Sequence, residues 1–122
     1  MSENEALNFN RFAEAMHKIA VEHGWWEQGK RRTVGDLLML MVTELSEAFQ
    51  QYRISGNATE IVYVQDKETG GVKPEGVPID FADLIIRLGD VCAGLGIDLE
   101  KAIKIKVSFN IMRPYRHGGK AV

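Results

Sequence analysis

The residues best suited to chemistry are two pairs of carboxylates, the members of each pair three residues apart within an apolar run. The first pair lies in Leu37-Leu-Met-Leu-Met-Val-Thr-Glu44-Leu-Ser-Glu47-Ala-Phe49; the second is Asp80 with Asp83, followed by Arg87 and Asp90. On a helix, positions three apart are separated by about 60° around the axis, so each pair shares one face. Asp80, Asp83, Arg87 and Asp90 fit within about 80° of arc. Most of the remaining surface of that segment is apolar, from Phe81 and Ala82 through Ile85 and Ile86 to Val91 and Cys92. A narrow charged stripe on an amphipathic helix is ordinarily its solvent face. A solvent face, however, gains from acids paired with bases one turn away, and the neighbour of Glu44 and Glu47 is the uncharged Gln51. Four acids across two facing helices raise one another's pKa unless a cation neutralises them. Oxygen donors without His or Cys select a hard cation, Mg²⁺ ahead of Mn²⁺ and both ahead of Zn²⁺. Helix bundles build metal sites in this way, with acids of facing helices projecting inward.

Four helical segments must position these groups. The first, from about Asn4 to His23, repeats Phe9, Phe12, Ala13, Met16, Ala20 and His23 at helical steps, with Ser2 and Glu5 spaced as a capping box and Gly24 as a stop. The second runs from about Thr33, capped with Asp36, to Ile54 before Gly56; its expected core stripe is Leu37, Leu38, Met41, Leu45, Ala48, Phe49 and Tyr52. Residues 57 to 78 change character: Thr59 to Gln65 is β-prone, Asp66 to Gly71 carries turn chemistry, and two prolines follow. A short hairpin or ordered loop fits there. The third helix is expected from Pro78 to about Ala93, stopped by Gly94 and Gly96, and the fourth from an Asp98 cap to about Met112, ended by Pro114.

The chain has 122 residues, 45% of them apolar, and a net charge of −2, the profile of a single compact domain. Its one cysteine, Cys92, cannot form an internal disulfide, so a stapled secreted scaffold is not expected. No apolar run approaches the roughly 20 residues of a membrane span, and the first ten residues lack the pattern of a signal peptide. A cytoplasmic protein is expected. The charge is unevenly spread: residues 36 to 100 hold twelve acids against four bases, whereas residues 101 to 122 hold six bases and no acid. A near-neutral total argues against nonspecific nucleic-acid binding, while an acidic middle with a basic end suits a metal-bound polyphosphate.

The E-x-x-E of Glu44 and Glu47, followed after an intervening segment by Asp80 and Asp83, resembles the MazG-type all-α nucleoside triphosphate pyrophosphohydrolases. The resemblance covers roughly residues 33 to 120. It extends to the tail, Lys106-Val-Ser-Phe-Asn110-Ile-Met-Arg113-Pro-Tyr115-Arg116-His-Gly-Gly-Lys120, which is similar to MazG-like ends with a K-x-x-x-N segment. It implies an all-α fold: a four-helix MazG-like bundle with a short β-hairpin or loop insertion between helices two and three. It also implies Mg²⁺-dependent cleavage of a (deoxy)nucleoside triphosphate between the α and β phosphates, with Mn²⁺ as a substitute, and self-association as a homodimer or homotetramer. Glu44, Glu47, Asp80 and Asp83 would be the metal ligands, although Asp80 stands where the family usually has Glu and Thr43 where it often has a further Glu.

Around such a site, Glu47 is the expected proton acceptor for the attacking water. Lys106 and Asn110, four apart on one helix face, would act on the same ligand as catalytic groups. Arg87, Arg113, Arg116 and Lys120 are expected phosphate contacts, and Trp25 or Trp26, just ahead of Lys30, Arg31 and Arg32, offers a flat face to a base. His17 and His23 read as structural. Two other readings use the same residues: an all-α enzyme acting on another pyrophosphate such as phosphoribosyl-ATP, and a catalytically silent nucleotide-binding or regulatory module.

Overall fold

A computed structural model describes residues 8–27 and 32–122, so the Ser2–Glu5 cap, Lys30 and Arg31 lie outside the described residues. The chain is mostly helical, with one small antiparallel sheet. The elements in order are α1 (Phe9–Glu22), α2 (Val34–Ser55), β1 (Val62–Gln65), β2 (Val72–Glu75), α3 (Val77–Leu95), α4 (Leu99–Met112) and a single helical turn, α5 (Arg116–Gly119). Among the described residues, no helix is long and apolar enough to cross a membrane.

Local chemistry sets most boundaries. Thr33 and Asp36 form the expected capping box: the Asp36 N–H donates to Thr33 Oγ1 at 3.1 Å, and the Thr33 N–H donates to Asp36 Oδ2 at 3.0 Å. These bonds favour the charged form of Asp36 and lower its pKa. Asp98 caps α4 by accepting from the Lys101 N–H at 3.1 Å. The hairpin pairs Val62 with Glu75 and Gln65 with Val72. Asp66 closes its turn by accepting from the Thr69 hydroxyl at 2.7 Å. Pro74 is tolerated because a two-stranded sheet consists only of edges.

The organising helix is α3, which carries both α1 and α2 on its surface. Against α1 it buries Val91 and Cys92, and Phe9, Ala13 and Cys92 form a core with Phe12, Leu88 and Leu99 around them. Gly89 allows this approach, since a Cβ there would stand 3.2 Å from the Phe12 ring and 3.3 Å from Ala13 Cα. Gly94 does not stop the helix as expected. It lies within α3, and a Cβ on it would clash with the six-membered ring of Trp26, so its role is to admit that ring while Gly96 closes the helix.

Two further expectations are corrected. In α2 the buried residues are Leu37, Glu44 and Ala48, whereas Leu38, Leu45, Phe49 and Tyr52 are exposed, Phe49 at 63%. A helix that is apolar around most of its circumference cannot bury every side against one neighbour, and α3 is the neighbour it has. The four helices also do not close around a common core within one chain. Helix α4 buries none of its residues; it is tied at its start, where Asn10 donates to Asp98 Oδ1 at 2.8 Å and its backbone N–H to Glu100 Oε1 at 2.7 Å. The substitution Gly94→Ala is expected to destabilise the fold by about 1–3 kcal/mol, read as a lower urea midpoint. A midpoint equal to that of the natural chain would contradict the packing of Trp26 on α3.

Candidate functional site

All four expected metal ligands lie along the seam between α2 and α3. Glu44 and Asp80 are buried, at 8% and 9% exposure. Asp80 Oδ2 is enclosed with no hydrogen-bond partner. Burial and the neighbouring Glu44, Asp80 and Asp83 raise the pKa of Glu47; burial, Asp83, Glu44 and Glu75 raise that of Asp80. Burial and Glu44 raise Asp83, partly opposed by Arg87. Glu47, Asp80 and Asp83 therefore each feel a neighbouring carboxylate's charge in addition to burial.

Glu44 is already engaged. Arg87 donates to its Oε1 through Nε at 3.1 Å and Nη2 at 2.9 Å. Arg87, expected as a phosphate contact, is thus held by a carboxylate one helix away. Among the described residues, no group of three or more His, Cys, Asp or Glu is arranged to hold a metal as it stands. The donor chemistry nevertheless fits a hard cation: the ligands are oxygens only, and one buried oxygen lacks any donor.

Two cavities meet at this seam. The smaller, about 340 Å³, is lined by Glu47, Asp80, Asp83 and the hairpin residues Lys73 and Glu75, themselves paired at 3.4 Å. The larger, about 1060 Å³, lies among α1, α2 and α3 and is lined by Glu44, Asp83, Arg87 and Asp90 at its polar side and by Leu37, Leu40 and both tryptophans elsewhere. Asp83 borders both, so the acidic seam opens directly into an aromatic and apolar pocket.

The tryptophans differ. Trp25 is exposed, with the Arg32 guanidinium 4.9 Å over its ring. Trp26 is half-buried, its Nε1 donates to Asp90 Oδ1 at 2.8 Å, and its ring meets the edge of His17 at 4.9 Å between centroids. His17 Nδ1 also lies 2.8 Å from Asp90 Oδ1. The sequence reading missed this three-residue network. Its signal was an acid, Asp90, enclosed by Gly89 and Val91 on the polar stripe of α3, opposite a histidine on the face of α1 that carries Ala13.

The basic tail is not brought to the acids of its own chain. Lys106, Asn110, Arg113, Arg116 and Lys120 line neither cavity, because α4 is anchored only at its first turn. Lys106 Nζ instead stands 4.7 Å over the Phe109 ring, with the Arg113 guanidinium at 5.5 Å on the same ring.

No family model, no curated protein and no solved structure matches this chain.

The acid cluster sets a pH dependence. The folded pKa values of Glu47, Asp80 and Asp83 lie above their ordinary values, so the folded state holds these protons more tightly than the unfolded state. Stability from the cluster is full below the ordinary carboxylate range and is lost as pH rises through the raised values. Asp80→Asn, which removes one buried charge, is expected to raise the metal-free Tm by a few degrees at neutral pH and to flatten its decline as pH rises above the ordinary carboxylate range. An unchanged or steeper decline would contradict the cluster.

Proposed function

We propose that this protein is a Mg²⁺-dependent pyrophosphohydrolase of MazG type, cleaving (deoxy)nucleoside triphosphates to monophosphate and pyrophosphate. The observation that carries the reading is the placement of Glu44, Glu47, Asp80 and Asp83 along one helix seam, with Asp80 Oδ2 left without a donor, beside a cavity of about 1060 Å³ that has room for a nucleotide. Carboxylates suit the cation of a metal-bound polyphosphate, and an apolar, aromatic recess suits the base attached to it.

In this proposal Glu44, Glu47, Asp80 and Asp83 hold the cation. Bound Mg²⁺ would supply charge neutralisation at the phosphate oxygens and acidify an attacking water. Glu47 accepts the proton of that water; desolvation and the neighbouring carboxylates raise its pKa toward the working range of a general base. Arg87 fixes Glu44 in place through its two bonds to Oε1 and offers its charge toward the larger cavity. Trp25, exposed at the pocket mouth, presents a face for the base, with Trp26 behind it.

The reading includes a homo-oligomer, dimer or tetramer. Helix α2 leaves Leu38, Met39, Val42, Leu45 and Phe49 exposed, and α4 leaves Ile105, Phe109, Ile111 and Met112 exposed, more apolar surface than an isolated domain ordinarily shows to water. The acidic middle and the basic end of the chain are complementary, so a second copy is a fitting cover. In such an assembly Lys106, Asn110, Arg113, Arg116 and Lys120 reach the phosphates of a neighbouring copy, which their own chain does not allow them to do. The test is pyrophosphate release from a nucleotide panel with Mg²⁺. Release is expected from the natural chain, with a loss of at least about 100-fold in Glu47→Ala and Asp83→Ala and unchanged helical circular dichroism. Retained activity in either variant would contradict the metal assignment.

A further inference from the structure

The pocket among α1, α2 and α3 carries one carboxylate that the proposed chemistry does not use. Asp90 lines this cavity, and its side chain is 18% exposed. Both recorded bonds fall on the same oxygen: His17 Nδ1 and Trp26 Nε1 each stand 2.8 Å from Oδ1. Two donors from α1 and the following turn thus fix the carboxyl group, while Oδ2 receives no hydrogen bond among the described residues. An ionised carboxylate only accepts, so Oδ2 is available to an N–H or O–H of a ligand in the cavity.

Position narrows the donor. Asp90 lies on the same stripe of α3 as Asp83, two turns further on, a rise of about 10.5 Å. That is comparable with the reach from the α-phosphorus of a nucleotide to the far edge of its base. A nucleotide whose phosphates meet the seam at Asp83 would therefore bring its base edge to Asp90, between the apolar walls of Leu37 and Leu40 and the tryptophans.

We propose that Asp90 is the specificity-determining residue of this pocket, selecting bases that carry an exocyclic amine, as in cytosine and adenine, over bases that present a carbonyl there, as in uracil and hypoxanthine. An amine donates to Oδ2. A carbonyl oxygen in its place sets two acceptors against each other and leaves a desolvated carboxylate oxygen unpaired, the arrangement by which a polar site rejects a near-isostere. His17 and Trp26 are positioning residues, since their bonds hold the carboxyl group in one orientation before any ligand enters.

The proposal rests on the nucleotide reading of the site, and the experiment separates the two. Nucleosides carry no phosphate, so their binding reports on the pocket and not on the acidic seam. Tryptophan fluorescence of the full chain is titrated with deoxycytidine, deoxyuridine, adenosine and inosine. Deoxycytidine and adenosine are expected to bind at least about tenfold more tightly than deoxyuridine and inosine. Asp90→Asn keeps an oxygen for the His17 and Trp26 donors and offers an amide to the ligand in place of Oδ2, so the fold is retained and the preference collapses or inverts. Equal binding of the paired nucleosides, no binding of any of them, or a preference that survives Asp90→Asn overturns the assignment. The same four bases as triphosphates, assayed for pyrophosphate release, report on the enzymatic reading. Release without base preference and untouched by Asp90→Asn refutes the role of Asp90 alone, whereas absence of release from every nucleotide refutes the hydrolase.

Discussion

Repulsion among carboxylates is the constraint around which this protein is arranged. Glu44, Glu47, Asp80 and Asp83 share the α2–α3 seam, and the cation hydrogen-bonded to one of them is Arg87. One guanidinium cannot balance four carboxylates: burial first, and then the neighbouring charges, raise the pKa values of Glu47, Asp80 and Asp83, and Asp80 keeps a buried, unpartnered oxygen. A paired or apolar side chain at Asp80 would be less costly to the fold. On the proposed reading, a divalent cation at the seam would offset that cost.

Helix α3 turns that local cost into a site with direction. Along one stripe it presents Asp80 and Asp83 at the seam, Arg87 across from Glu44, and Asp90 against His17 and Trp26. Its other surfaces are packed closely enough to hold the stripe still: Gly89 admits Phe12 and Ala13, and Gly94 admits the Trp26 ring. The acidic seam and the larger cavity are thereby held at fixed spacing on one rigid element, as pre-organisation of the proposed extended ligand would demand. The open faces of α2 and α4 are the counterpart of this economy. Apolar side chains on these faces, such as Phe49 and Ile111, stand exposed.

What was legible in the sequence was local. Thr33 with Asp36 and Asp98 with Lys101 define helix starts through contacts three residues apart, and the Asp66 turn defines the hairpin, so each could be read within a short window. The acid pairs were legible for the same reason, since helical spacing alone puts each pair on one face. The rotation of α2 was not, because its apolar residues surround most of the helix and only the position of α3 decides that Glu44 faces inward while Phe49 faces out. Nor were the partners of Arg87 and Asp90, which come from residues 43 to 73 positions away. Gly94 was read as a stop because glycine ends many helices, but here its missing side chain serves a ring from a distant turn.

The most direct measurement is a titration of Mn²⁺ into the full chain followed by electron paramagnetic resonance, in which the free-ion signal is lost as the ion binds. A cation site on the α2–α3 seam predicts loss of free-ion signal with the natural chain, competition by Mg²⁺, and weakened binding when Asp80 or Asp83 is replaced by Asn. A free-ion signal unchanged by the natural chain, or binding indifferent to both substitutions, would contradict it.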